Sequence, residues 1–356
     1  MQSPPKKPPT LQELARSLGM HKSTVSLALS GKGNVSAMTR ERVITAARAL
    51  GYEPNPLAQR LAQGYRNDLV CLFSGGLDVG LATQKILSIQ QQLNARGLDV
   101  PIYTESPRPV GGDGTQAQQI RQLCRQRPRA ILCASPRVES AAFRELELYQ
   151  RAGGIVVSYD TPVPLECDQV LFDRAESAYA AARYLLERGH RRVGIAMSSV
   201  PDPLPGTSSD PITARMRGFR RALQEFGAEM REEWFFRNSN YERGGAEMAA
   251  SFLAMEERPT ALCIVNDYVA LAFTVEIMRA GLRVPDDVSI VSHDNQPIAA
   301  YSPVPLTAMT HPAEQIAAGV VELLLDRVEG RLPEDAPRRT ITVAGGLVER
   351  SSVAPA

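Results

Sequence analysis

Four polar side chains of this 356-residue chain follow apolar runs of strand character: Asp160 after Ile155 to Tyr159, Arg215 beyond the run ending at Met197, Asn266 after Ala261 to Val265, and Asp294 after Val288 to Ser292. An Arg, an Asn and two Asp can between them donate to and accept from vicinal hydroxyls, which is the chemistry of holding a sugar or sugar derivative. Ligands of open α/β sheets bind beyond the carboxyl ends of strands, and these residues stand there. Taken singly, Asp294 also reads as a loop carboxylate and Arg215 as a surface ion-pair residue. Asp267 reads as the N-cap of the helix that follows rather than as a ligand contact. Ser74 and Asp78, in the loop SGGLDVG after the first strand, are further candidates.

A second chemistry, the neutralisation of phosphate, is concentrated at the other end of the chain. Residues 1–66 carry ten Lys and Arg against three acidic residues, although the whole chain is nearly neutral at +1. The remainder is therefore net acidic, and such segregation suits a partner that is a polyanion. Solvated faces of a small helical domain are the plain alternative.

The elements that must position these groups can be read from periodicity. Thr10 and Glu13 form a T-x-x-E capping box, and Leu11, Leu14, Ala15 and Leu18 make one apolar stripe that ends at Gly19. A second helix over Lys22 to Leu29 buries Val25, Ala28 and Leu29, leaving Lys22, Ser23, Ser26 and Leu27 outside. A third starts near Ser36, turns Val43, Ile44, Ala47 and Leu50 inward, and stops at Gly51. That succession has helix-turn-helix spacing. After Pro54 and Pro56, residues Leu57 to Ala62 make a helix too short to be stable alone. The lesser alternative is that Leu57 and Leu61 are ordinary linker or interface residues.

From Asn67 onward apolar runs alternate with helix-period stretches. Candidate strands are Leu69 to Phe73, Val100 to Thr104, Ala130 to Ala134, Ile155 to Tyr159, Gln169 to Phe172, Arg192 to Met197, Trp234 to Arg237, Ala261 to Val265 and Val288 to Ser292. Helices are expected between most of them, for example Ser177 to Arg188 and Tyr268 to Ala280. The alternation predicts parallel sheets covered on both faces, and two sheets rather than one at this length. The Pro-rich start, Met1 to Pro9, is expected to be a disordered tail.

The run TLQELARSLGMHKSTVSLALSGKGNVSAMTRERVITAARALGYEPNPLAQRLAQG resembles the head of lactose repressor (LacI/GalR) family regulators, most diagnostically at Thr24 to Ser26, Asn34 to Ser36, Thr39 to Val43 and Gly51 to Leu61. The stretches LLERGHRRVGI, ARMRGFRRAL, VNDYVALAF, GLRVPDDVSIVSHDNQPIAAYSPVPLT and AEQIAAGVVELLLDRVEG are similar to the effector domain of the same family, which has the fold of periplasmic sugar-binding proteins. The resemblance implies an all-α helix-turn-helix head joined to a two-lobed α/β effector domain of periplasmic-binding-protein type I, with parallel sheets. It implies these boundaries: a tail over 1–9, the DNA-binding domain over 10–54, a hinge helix and linker over 55–66, and an effector and dimerisation domain over 67–352. Within the last, the N-lobe takes about 67–172 and 311–339 and the C-lobe about 173–310 and 340–352, with crossings near Phe172, Thr310 and Arg339.

The resemblance also assigns roles. Lys22, Ser23 and Leu27 stand at base-reading positions, and Thr24, Ser26 and Asn34 at phosphate-contacting ones. Asn55 falls in the DNA-binding set, and Leu61 is the wedge that enters the minor groove when two hinge helices pair. Ser74, Asp160, Arg215, Asn266 and Asp294 are the effector set. The chain departs from the family at His21, where Ser is usual, and at Leu27, which can touch a thymine methyl but cannot read guanine through a bidentate contact. The loop after the first strand lacks the aromatic residue common there.

The implied protein is a transcriptional repressor acting as a homodimer on a near-palindromic double-stranded operator under control of a small-molecule effector, a sugar or sugar derivative. No cofactor, metal or membrane partner is expected. Gly75, Gly76 and Gly80 do not have G-x-G-x-x-G spacing, and there is no G-x-x-x-x-G-K-[ST], H-E-x-x-H or G-x-S-x-G. His21, His190, His293 and His311 lack metal-ligand spacing. His190 reads as surface, while His293 and His311 end strands near the crevice and can brush a ligand there. Cys71, Cys124, Cys133, Cys167 and Cys263 form no C-x-x-C pair and read as reduced core residues. The N-terminus MQSPPKKPPT has no apolar signal core and no run reaches a membrane span, so a cytoplasmic protein is expected. The rival classes are a solute-binding protein, which the basic head argues against, and a nicotinamide-dependent enzyme.

Overall fold

A computed structural model describes residues 9–30, 35–52, 68–74, 80–104, 115–134, 140–198, 211–238, 241–333 and 335–356. The chain divides into two compact units, Met1–Asn67 and Asp68–Ala356.

The first unit holds three described helices, α1 (Leu11–Leu18), α2 (Lys22–Ser30) and α3 (Ala37–Leu50). Helix α1 starts in the expected box: Glu13 N donates to Thr10 Oγ1 at 3.3 Å, and Thr10 N donates to Glu13 Oε2 at 2.7 Å. Gly19 and Gly51 end α1 and α3 with φ of +63° and +66°, a backbone region that favours a residue without Cβ. Leu14, Ala15, Val25, Ala28, Val43 and Ala47 make the small core. Two side chains expected inside are not: Ile44 is 36% and Leu50 44% exposed. Leu29 is half-buried. Val43 and Ala47, one turn apart, already fill the face of α3 that meets α1 and α2, and Ile44 lies about 100° around the helix from Val43.

The second unit contains two six-stranded sheets. In the first, β1 (Val70–Ser74), β2 (Ile102–Thr104), β3 (Ala130–Ala134), β4 (Ile155–Asp160), β5 (Asp168–Phe172) and β11 (Thr340–Val343) are ordered β11-β5-β4-β3-β1-β2, every pair parallel. In the second, β6 (Val193–Ser198), β7 (Phe235–Asn238), β8 (Ala261–Ile264), β9 (Ser289–Asp294), β10 (Thr307–Thr310) and β12 (Leu347–Val348) are ordered β12-β10-β9-β8-β6-β7, with only β12 antiparallel. Leaving out β11 and β12, each sheet has the same doubly wound order, all parallel, in which the succession of strands changes side between the first strand and the third.

Helices cover both faces of each sheet, as continuous apolar strands demand. On the first sheet, α4 (Leu81–Asn94) and α12 (Ala313–Val328) pack Ile86, Ile89, Leu93, Ile316, Val320 and Leu324 on one side. On its other side lie α5 (Thr115–Arg125) and α6 (Ser140–Arg151), through Ile120, Leu123, Phe143 and Leu146. On the second sheet, α7 (Arg174–Glu187) and α8 (Pro211–Glu225) cover one face. The other carries α9 (Tyr241–Leu253), α10 (Asp267–Arg279) and the short α11 (Pro297–Tyr301). Cys71, Cys133, Cys167 and Cys263 are buried and Cys124 half-buried, all as free thiols.

Three connections join the lobes. They leave after Phe172 and after Thr310 as expected, but the third leaves after Val343 and not near Arg339, because Thr340–Val343 pair in parallel with Gln169–Phe172 as the outer strand of the first sheet. The three run side by side: Asp173 N donates to Val343 O at 2.9 Å, and Thr310 N to Gly346 O at 2.7 Å. A Cβ on Gly345 would stand 2.1 Å from Thr310 O, so this close approach requires glycine.

Candidate functional site

The carboxyl ends of β1, β4, β8, β9 and β10 carry Ser74, Asp160, Asn266, Asp294 and His311 respectively, or the residues just after the strand. Asp160 is the centre of a buried ion cluster. Its carboxylate lies 2.7 Å from Lys85 Nζ, 3.0 Å from the Arg174 guanidinium and 3.3 Å from His311 Nε2. Arg174 donates as well to the Asp160 carbonyl oxygen at 2.6 Å, and Lys85 Nζ lies 3.3 Å from His311 Nε2. Lys85, Arg174 and His311 are all buried. The Phe172 ring stacks on His311 with centroids 4.2 Å apart. The cluster therefore ties helix α4, the end of β4 and two of the lobe connections to one carboxylate.

Electrostatics follow from that geometry. Burial alone would raise the Asp160 pKa, but Arg174, Lys85 and His311 more than reverse it and hold the carboxyl well below its usual range. Asp294 has the opposite balance: burial pushes it up to about 6, even though Arg215, Lys85 and Arg174 pull it down. Fields from Lys85 and Asp160 in one lobe thus reach Asp294 in the other, and Arg215 stands close enough to act on both Asp294 and His293. Burial brings His293 and His311 down to about 4, so both are neutral at pH 7. Asp160 and Asp294 hold φ of +73° and +95°, and such left-handed backbone costs a side-chain-bearing residue about 1–3 kcal/mol, which concentrates at working sites.

Arg215 lies in α8 and is half-buried, and Ser74 is buried at the end of β1. At the start of α10 the N-cap is Asn266 and not, as expected, Asp267. Asn266, in extended backbone, is the N-cap and accepts from Tyr268 N at 2.8 Å and Val269 N at 3.3 Å. Asp267 is fully buried behind it, accepting from Ser292 Oγ and Gln296 N, and burial pushes its carboxyl up to about 7. His190 is buried as well and not on the surface, its ring nitrogens 3.0 Å from Thr260 Oγ1 and 3.1 Å from Ala354 O, where it pins the end of the chain.

Lys85 and Arg174 were not legible as site residues, yet each left a trace. Lys85 shares the buried stripe of α4 with Ile86, Ile89 and Leu93, where an unpaired charge is costly. Arg174 directly follows Asp173, whose side chain caps α7 by accepting from Glu176 N at 2.9 Å.

In the head, Lys22, Ser23 and Leu27 are exposed on α2, and Thr24 and Ser26 are half-buried beside them. His21 Nδ1 lies 2.7 Å from Ser23 Oγ, so the imidazole stands at the helix start and holds one of the candidate base readers. Asn34, Asn55 and Leu61, with Asp78, lie outside the described residues.

The model of bacterial regulatory proteins of the lacI family matches residues 10–55, and that of the periplasmic binding protein-like domain matches residues 182–353. The head is thus similar to that of the lacI family regulators, and most of the body to a periplasmic binding protein-like domain. The HTH-type transcriptional repressor PurR of Edwardsiella ictaluri is 28% identical over 345 residues, covering 97% of each chain. That of Vibrio cholerae is 26% identical over 346 residues, 97% of this chain and 98% of its own. Among solved structures, the lac repressor dimer bound to operator and the anti-inducer ONPF matches with a TM-score of 0.79 at 23% identity, over 98% of this chain and 100% of that one. A transcriptional regulator CelR–cellobiose complex matches with a TM-score of 0.69 at 24% identity, over 97% and 99%. A LacI family regulator from Enterococcus faecium with bound ribose matches with a TM-score of 0.68 at 19% identity, over 81% and 99%. The chain joins a DNA-binding head of lacI type to a periplasmic binding protein-like domain, the make-up of a transcriptional regulator and not of an enzyme. No helix among the described residues is long and apolar enough to cross a membrane.

Proposed function

We propose that two copies of this chain bind a near-palindromic operator and that a sugar or sugar derivative taken up between the lobes sets its occupancy. Lys22, Ser23 and Leu27 read base edges in the major groove, while Thr24, Ser26 and Asn34 meet phosphates. Asn55 and Leu61 act at the paired hinge helices, where the leucine wedges a minor-groove step. Ser74, Asp160, Arg215, Asn266 and Asp294 line the effector site. Asn266 contributes only its amide N–H groups, since its oxygen caps α10.

The observation that carries the effector reading is the placement of Asp160 and Asp294, two half-buried carboxylates at the ends of β4 and β9 in opposite lobes, both in left-handed backbone. A ligand placed between them must change their separation or their protonation, and so favours one lobe arrangement over another. Operator and effector then alter each other's affinity by the same factor. The operator-bound lac repressor dimer and the cellobiose- and ribose-bound regulators support the two halves of this reading. The repressors named PurR favour a second one, a purine effector in the same cleft.

Thermal unfolding of the full-length protein with a panel of sugars and purine bases separates the two. A specific ligand at 100 times its Kd stabilises by about 2.7 kcal/mol. A rise with sugars alone supports the first reading, and a rise with purines alone replaces it by the second.

A further inference from the structure

Resting on the reading of Ser23 as a residue that meets base edges, we infer that His21 is the positioning residue behind it. It holds the Ser23 hydroxyl so that this group can only accept, and thereby selects cytosine or adenine at one nucleotide of the operator half-site. The His21 carbonyl opens α2 by accepting from Val25 N at 3.2 Å. A polar side chain at such a position commonly accepts from backbone amides of the first turn. Here the imidazole turns to a side chain instead, with Nδ1 2.7 Å from Ser23 Oγ. Both residues are exposed, and among the described residues neither side chain makes another hydrogen bond. The pair therefore keeps Nε2 and the rest of the hydroxyl for an outside partner.

That remaining capacity has a fixed sense. A serine hydroxyl by itself has one hydrogen and two lone pairs and rotates to suit its partner, so it meets donors and acceptors alike. In a neutral imidazole one ring nitrogen donates and the other accepts. With the hydrogen on Nε2, Nδ1 takes the hydrogen bond of the Ser23 hydroxyl and leaves that hydroxyl only its lone pairs. With the hydrogen on Nδ1, the hydroxyl keeps its own hydrogen to give. On the proposed reading Ser23 enters the major groove, and His21, before the first turn, meets the groove wall, where phosphate oxygens only accept. They favour the ring that carries its hydrogen on Nε2, and Ser23 then faces the bases as an acceptor. The donors in the major groove are N4 of cytosine and N6 of adenine, whereas guanine and thymine offer none.

The test uses the full-length protein with Ser23→Ala, His21→Ala and the double variant, each bound to a library of palindromic duplexes, and compares the four bases at every half-site position within each protein. Such ratios cancel any loss of folded heads, which weakens all sequences by the same factor. The nucleotide read by Ser23 is the one whose preference Ser23→Ala alters. There the wild type should favour cytosine or adenine over guanine or thymine about fivefold or more, the scale of a single mismatched pair. His21→Ala should lower that ratio as far as Ser23→Ala does, while preferences at the other positions stand. Adding Ser23→Ala to His21→Ala should then change the ratio no further, as expected of two residues that act through one contact. A Ser23-dependent preference that survives in His21→Ala overturns the inference and leaves Ser23 as a base reader. A His21-dependent preference for guanine or thymine overturns the accepting sense assigned to the hydroxyl. If Ser23→Ala alters no position, Ser23 reads no base, and the reading on which the inference rests falls with it.

Discussion

Asp160 shows how one side chain can be both a recognisable position and an unforeseen part. Its place after an apolar strand was legible, because strand ends follow from local hydrophobic runs. Its partners were not, since Lys85 and His311 lie 226 residues apart in sequence and meet only when the first sheet has gathered distant segments of the chain. Replacing Asp160 by Ala leaves Lys85 and Arg174 as buried cations without their carboxylate. Breaking a buried ion pair from one side costs about 3–5 kcal/mol, which urea unfolding should read as a clear fall in the midpoint at unchanged slope. A change below 1 kcal/mol would mean that the cluster is solvated and that its surface-like pairs carry little.

Asp267 gives a second test at the same scale. Its carboxyl is pushed from 3.8 up to about 7, mainly by burial, so the fold prefers the protonated form. The stability this provides is whole below the unfolded value and is lost as pH rises through about 7. Asp294 contributes in the same direction, and His293 and His311, lowered to about 4, in the opposite one. The comparison between wild type and Asp267→Asn isolates the one group. Relative to the variant, the wild type should lose unfolding free energy between pH 5 and pH 8; a constant difference across that range would refute the buried protonated carboxyl.

Among elements, the capped helices of the head and the parallel strands of the body were readable because each is specified within a few residues. Thr10 with Glu13, Gly19 and Gly51 fix helix ends locally. Strands β10, β11 and β12 escaped because they are short and owe their existence to neighbours across the lobe connections: β11 exposes Thr340 and Thr342, buries only Val343 and is held by β5, and β12 spans only Leu347–Val348. The capping of α10 by Asn266 instead of Asp267 has a similar origin, since either side chain could cap the helix and only the burial of Asp267 against Ser292 decides between them. The close passage of the three lobe connections makes a prediction of its own. Gly345→Ala places a Cβ against Thr310 O, backbone that cannot rotate away, so the connections must separate. The variant should unfold at lower temperature and show a changed ligand response while its isolated-site chemistry is untouched, measured by calorimetry with and without effector. Wild-type behaviour in both would show that the crossings have slack.

For the whole molecule, composition already spoke of two functions, a basic head and an acidic body joined by a short segment. The head alone is a marginal core, built on six fully buried side chains among its described residues. On the proposed reading, specificity is set where two heads are placed together, and the body controls the placement by the state of its cleft. The most direct measurement is binding of full-length protein to a palindromic fragment selected from random duplexes, by fluorescence anisotropy, with and without the effector found by thermal shift. The account predicts a preference over random duplex that the effector changes, together with an equal, reciprocal change in effector affinity when the operator is present. Equal affinity for selected and random duplex, or operator binding indifferent to an effector that demonstrably occupies the cleft, would contradict it.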